Sequence, residues 1–193
     1  KAWNVIDSNT GWVARSGLDN AIKMIDRFIA YHENNLKERR IVATEERFSL
    51  QIGRALIRGS ADRIEVNSQG ELFIIDFKTG STAVAEKDSE DSVQLAAYQL
   101  AAVLGEFKAK TEITAVAGAE LAYLALPLTK GITIRKQSGL NDEKRAAVEA
   151  KLDELANGMG ASTFVARVGS KCRNCGVASS CPLQSQGRSV ISE

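Results

Sequence analysis

Charged residues set into an apolar hairpin constrain this chain more than any other feature. Residues 55–66 read as one strand and Leu72–Lys78 as a second. Between them Asn67-Ser68-Gln69-Gly70 is rich in residue types that tolerate turn dihedrals. Asp76 and Lys78 are two apart and share a strand face, while Phe73, Ile75 and Phe77 point the other way into apolar packing. The first strand carries Asp62. An Asp and a Lys among Leu, Phe and Ile are costly unless each finds a partner. A cross-strand ion pair would satisfy them, and so would a divalent cation on the carboxylates with a phosphate on the lysine.

The loop decides whether Asp62 and Asp76 meet. A plain four-residue loop sets Val66 against Glu71 and Asp62 against Ile75, which leaves Asp76 on the other face. A slip of one residue reverses every side chain. A three-residue loop, Asn67-Ser68-Gln69, with Gly70 as a left-handed bulge residue, pairs Asp62 with Ile74 instead and brings both carboxylates to one face. A bulge at or near Gly70 is therefore expected.

Phosphodiester hydrolysis has a use for these groups. A hard cation polarises the phosphoryl oxygen and makes hydroxide available near neutral pH, and hard cations choose carboxylate oxygens. A neighbouring lysine orients the attacking water or holds the phosphate as a point charge.

The rest of the chain reads as an ordinary globular domain. Its 193 residues carry 25 basic and 24 acidic side chains, so a nucleic-acid footprint would have to be a local patch. No apolar run approaches a membrane span, no signal peptide opens the chain, and a phosphate-binding GxxxxGK[ST] is missing, so no helicase motor lies within it. It opens on Lys1 in mid-pattern and reads as a piece of a larger polypeptide. Trp3 and Trp12 fall in an irregular segment expected to pack on the body. Ser16 with Asp19 resembles a capping box, and Leu18, Ile22, Ile25, Ile29 and Leu36 recur at helical spacing as the expected buried stripe of a helix reaching Lys37. His32, the sole histidine, falls on that stripe and is read as a packed residue rather than a metal ligand.

Ile41–Ile52 reads as a strand, and 83–92 as a polar, acidic loop. A helix over about 92–104 is apolar nearly all round, hence buried. Gln94 and Tyr98 are four apart on one of its faces and must meet something polar, either substrate and the Lys78 end of the site or each other. Strands follow at 119–127 and 132–136, then a helix capped by Asn141 and ended by Gly158. Cys172, Cys175 and Cys181, spaced CxxCx₅CP, suggest thiolates aimed at one metal, with reduced cytosolic thiols as the alternative.

Gly59-Ser-Ala-Asp62-Arg-Ile64, Asp76-Phe-Lys78-Thr-Gly80 and Gln94-Leu-Ala-Ala-Tyr98 resemble, in order, the GxxDRI, DxKTG and QxxxY motifs of RecB-like nucleases of the PD-(D/E)XK superfamily. Gly118 to Tyr123, and the ending from Cys172 to Gly187-Arg188, resemble the C-terminal nuclease domain of AdnAB-type bacterial helicase–nucleases. The resemblance implies an α/β (α+β) restriction-endonuclease-like core, a mixed sheet flanked by helices. It divides the chain into an N-terminal segment (1–40), a nuclease core (41–168) and a cysteine tail (169–193). It implies Mg²⁺ or Mn²⁺ held by Asp62, Asp76 and Glu45, the last from an ExxF match at Glu45–Phe48, with Glu46 as competitor. Lys78 would be catalytic, and Gln94 and Tyr98 would position the strand. Cys172, Cys175 and Cys181 would be three ligands of a [4Fe–4S] cluster whose fourth cysteine lies outside this chain. The implied partners are DNA, a helicase motor on the same polypeptide and a second helicase–nuclease subunit, in the cytoplasm and away from membrane. The implied function is hydrolysis of single-stranded DNA during resection of double-strand breaks. The alternative is a non-catalytic DNA-binding module of the same fold.

Overall fold

The computed structural model describes residues 11–128, 131–163, 166–185 and 187. Its strands are β1 (Arg39–Ile52), β2 (Ala55–Asn67), β3 (Leu72–Lys78), β4 (Val116–Pro127) and β5 (Ile132–Ser138). They form one sheet in the order β1-β2-β3-β4-β5. β1, β2 and β3 are an antiparallel meander, β4 runs parallel to β3, and β5 is antiparallel to β4. A parallel neighbour requires a crossover. It is made by the one-turn α2 (Glu86–Ser89) and then α3 (Val93–Val103), whose first turn is capped by Ser92 Oγ accepting the Leu95 N–H at 3.4 Å. Helix α1 (Gly11–Asn35) precedes the sheet and α4 (Asp142–Met159) follows it. The result is the expected α+β architecture, a mixed sheet flanked by helices. No described helix is long and apolar enough to cross a membrane.

Two apolar layers sandwich the sheet. On one face Leu50, Ile64, Leu72 and Ile74 meet Leu95, Leu100 and Ala101 of α3 and Leu152 of α4. On the other, Ile75, Ala122, Leu124 and Ile132 meet Tyr31, with Phe28 and Met24 of α1 packed against them. Each fully buried Leu or Ile contributes about 1.5–3 kcal/mol. Period-two alternation on β3 thus sends Leu72, Ile74 and Asp76 toward α3 and Phe73, Ile75 and Phe77 toward α1. The chain divides after Asp153 into two compact units. The second contains short 3-10 turns at Ser170–Asn174 and Ala178–Ser180.

Helix α1 corrects two expectations. Its described part already covers Gly11–Asn35, so Ser16 lies inside the helix rather than at its N-cap. The stripe Leu18, Ile22, Ile25, Ile29 and Leu36 is exposed, while Met24, Phe28 and Tyr31 face the sheet. The helix carries two apolar stripes, and polar partners on the sheet choose between them. Tyr31 donates its hydroxyl to Glu120, and the Arg27 guanidinium donates to the Leu124 carbonyl at 2.8 Å. Trp12, expected to pack, is exposed; Trp3 and Arg188 lie outside the described residues.

Candidate active site

The hairpin loop brings the carboxylates together by a different register from the expected one. The pairs are Val66 with Leu72, Ile64 with Ile74 and Arg63 with Ile75. One step further sets Asp62 opposite Asp76 rather than Ile74, a shift of two residues that preserves the face. Asn67 pairs with Glu71 and the loop is Ser68-Gln69-Gly70, held by Asn67 Oδ1, which accepts the Gln69 and Glu71 N–H groups at 3.0 and 2.9 Å. Gly70 has φ +79°, the left-handed conformation the turn requires. The ladder stops at Arg63–Ile75, and the Asp62 carboxylate accepts the Phe77 N–H at 2.7 Å.

Asp76 is the hub. Its Oδ2 lies 2.7 Å from Lys78 Nζ, an ion pair between neighbours on one strand face. Its Oδ1 accepts from Gln94 Nε2 at 2.9 Å and from the Tyr98 hydroxyl at 3.0 Å. Lys78 Nζ also donates to Gln94 Oε1 at 3.2 Å, so one amide ties carboxylate, phenol and ammonium together. The polar face of α3 therefore meets the strand residues, as the Gln94/Tyr98 spacing anticipated. Burial, reinforced by the Asp76 charge, pushes the Tyr98 phenol up to about 12, so it remains a donor at neutral pH. Burial also raises Asp62 above its ordinary value. The Phe77 N–H opposes the shift, and the negative charges of Asp76 and Glu45 add to it.

Glu45 reaches this cluster through a break in strand alternation. Thr44 pairs with Arg63 and Glu46 with Ala61, so Glu45 stands opposite Asp62. Strict alternation would send it away from Phe48, which packs edge-on to Tyr98 at 5.8 Å. Glu45 instead has φ +50° and is the only described non-glycine residue with positive φ. The inward residues change parity around it, from Ala43 to Phe48 on β1. Left-handed backbone at a glutamate costs about 1–3 kcal/mol and is found where a site over-determines it. The competitor Glu46 is directed to Lys110 at 3.9 Å.

Behind the site lies a buried ionic network that sequence reasoning missed. Arg63 Nε is 3.1 Å from Glu65, Arg39 bridges Glu65 and Glu120 at 3.3 and 3.4 Å, and Tyr31 completes the set. Arg63 stacks 5.0 Å from the Phe77 ring and bonds His32 Nδ1 at 3.0 Å. His32 also stacks on Phe28 at 6.1 Å, the packed role expected of it. The only sequence signal for this network was its cost: four charges inside apolar strands demand partners.

Among the described residues, no three His, Cys, Asp or Glu side chains are gathered closely enough to hold a metal as they stand. The donor set around Asp62 still suits a hard cation: carboxylate oxygens, with Asp62 raised by burial and then by the charges of Asp76 and Glu45. Cys172, Cys175 and Cys181 are free thiols. Three thiolates do not make the four-ligand set of a [4Fe–4S] cluster.

A mixed sheet with a buried crossover helix, bearing Asp, Asp and Lys at the end of a central hairpin, defines the restriction-endonuclease-like class of folds. A family model described as the PD-(D/E)XK nuclease superfamily matches residues 1–182, and the chain belongs to that superfamily. Its members are metal-dependent nucleases that generally use Mg²⁺ or Mn²⁺. One similar solved structure is titled "Crystal structure of SSO0001": 19% identity, 88% of this chain and 71% of that one, TM-score 0.46. That likeness is too slight to bear on function. No match was found among curated proteins.

Proposed function

We propose that this chain is a Mg²⁺- or Mn²⁺-dependent deoxyribonuclease domain that hydrolyses single-stranded DNA within a cytoplasmic helicase–nuclease resecting double-strand breaks for recombinational repair. The helicase motor, on the same polypeptide, and a second subunit are part of the proposal, which rests for them on the RecB-like and AdnAB-like motifs. The observation that carries the catalytic reading is Asp76 joined at once to Lys78, Gln94 and Tyr98, with Asp62 opposite it.

Asp62, Asp76 and Glu45 would hold the cation, whose positive charge would favour the ionised Asp62 that burial and the charges of Asp76 and Glu45 disfavour. When bound, it polarises the phosphoryl oxygen and acidifies water. Gln94 and Tyr98 hold Asp76 in one orientation by donating to a single oxygen. That leaves the other oxygen to Lys78, the group whose charge is available to the phosphate or to the attacking water. The same two α3 side chains position the DNA strand. Cys172, Cys175 and Cys181 would supply three ligands of a [4Fe–4S] cluster in the intact helicase–nuclease, with the fourth from outside this chain, a part of the proposal that rests on the AdnAB-like ending alone.

The test is digestion of linear single- and double-stranded DNA by the wild type and by Asp76→Ala and Lys78→Ala. Each variant should lose about 10²–10³-fold or more in rate. In an intact helicase–nuclease, ATP-driven unwinding should persist. Cleavage near the wild-type rate by either variant would eliminate the site. One observation favours a second reading, a DNA-holding module of the same fold: among the described residues no three ligands are pre-gathered. Calorimetric titration with Mn²⁺ separates the two, since a non-catalytic module would bind DNA but show no metal heat that Asp76→Ala abolishes.

A further inference from the structure

The exposed stripe of α1 has a more specific pattern than a scatter of surface hydrophobes. Leu18, Ile22, Ile25 and Ile29 are 36, 48, 57 and 46% exposed, and Leu36, 49% exposed, follows just beyond the helix end at Asn35. The four positions within the helix are spaced four, three and four, which places them on the a and d positions of a heptad repeat, and His32 at the next d closes the seam by stacking on Phe28 and bonding Arg63. Such a seam is the shape complement of another α-helix, because a and d side chains insert as knobs between four residues of a facing helix. A contiguous apolar strip of this kind marks an interaction surface.

The flanks specify the partner. On one side, beyond the d row, Phe28 packs against the core and Asn35 is buried, so that flank is closed by the sheet. On the other, Asp19, Asp26 and Glu33 occupy successive e positions beside the seam, with Lys23 one row further out. The open flank of the seam is therefore lined by carboxylates. A second copy of this chain would fit poorly. Antiparallel pairing sets the acidic rows against each other, and parallel pairing needs the flank that the sheet closes. We propose that this seam docks an amphipathic helix of a separate partner protein, one with Ile, Leu or Val on its own seam and Lys or Arg along the flank that meets Asp19, Asp26 and Glu33. The inference is independent of the catalytic reading, since none of Leu18, Ile22, Ile25 and Ile29 belongs to the candidate active site.

Two synthetic peptides of about four heptads, with the same Ile/Leu seam but Lys or Glu on the flanks, test it by calorimetry against the 193-residue chain. The Lys peptide should bind roughly tenfold or more tightly than the Glu peptide, and added salt should shrink the difference. Combined Ile22→Ser, Ile25→Ser and Ile29→Ser should abolish binding with an unchanged melting temperature, whereas Leu56→Ser, an exposed leucine on β2, should have no effect. Should the triple variant melt early, Ile25→Lys at the most exposed seam position should reverse the peptide preference. Equal binding of the two peptides, binding retained by the triple variant, or a dimer of the chain in sedimentation that the triple variant disperses would overturn the proposal.

Discussion

Asp62 is partly buried with the charges of Asp76 and Glu45 nearby, and its protonation reports the burial first and those charges second. Its carboxyl is held above the ordinary value, so the folded chain binds this proton more readily than the unfolded chain does. The ionised form therefore subtracts from stability at neutral pH, and the loss fades as the pH falls through the raised value toward 3.8. Asp62→Asn removes the charge while keeping an oxygen for the Phe77 N–H. It should melt above the wild type at neutral pH without divalent ions, lose that advantage below about pH 4, and be inactive. A lower melting temperature at neutral pH would contradict this account of Asp62. Glu45 is a second residue whose placement works against the fold. Glu45→Gly relieves a left-handed backbone and should raise stability by roughly 0.5–1 kcal/mol in denaturant melts while weakening cleavage. Unchanged cleavage would remove Glu45 from the site.

At the scale of elements, the site depends on how β1 and β2 press against α3. Phe48 lies across from Gly59 and edge-on to Tyr98, linking the GxxDRI strand to the helix that holds Asp76. A Cβ at Gly59 would stand 2.6 Å from the Phe48 ring, so glycine is required there for close approach. Gly59→Ala should cost about 1–3 kcal/mol and disturb Tyr98, which near-ultraviolet circular dichroism and a denaturant melt would record. Full stability in that variant would show that Phe48 has room to move. The α3 residues were legible in the sequence because a buried helix with two polar side chains four apart needs a polar target. The target itself, a single oxygen of Asp76, was not legible.

For the whole molecule, net charge sets the DNA-binding expectation. With 25 basic and 24 acidic residues there is no general attraction to phosphate. Single-stranded DNA should bind weakly, with an affinity that falls as salt rises and a shallow slope reflecting few phosphate contacts. Filter binding across a salt series checks this, and tight salt-insensitive binding would refute it. The buried Arg39–Glu65–Arg63 and Arg39–Glu120 pairs do not alter that balance, since their charges cancel inside the protein. Two of their members also hold α1, Glu120 through the Tyr31 hydroxyl and Arg63 through His32. Removing one partner would strand a buried charge rather than free a surface one.

What the sequence determined by itself is whatever depends on local period and residue type. The bounds of β3 at Leu72–Lys78, the common face of Asp76 and Lys78, the buried character of α3 and the left-handed turn at Gly70 all follow from neighbours within a few positions. Tertiary structure decided the rest. The two-residue difference in hairpin register, the turn of Glu45 toward Asp62 and the choice of the Met24/Phe28/Tyr31 stripe over Leu18/Ile22/Ile25/Ile29 each depend on partners far along the chain. Two registers that share a face look identical to a period-two pattern, and two apolar stripes look alike to a period of 3.6. Only the burial of specific side chains against specific neighbours separates them.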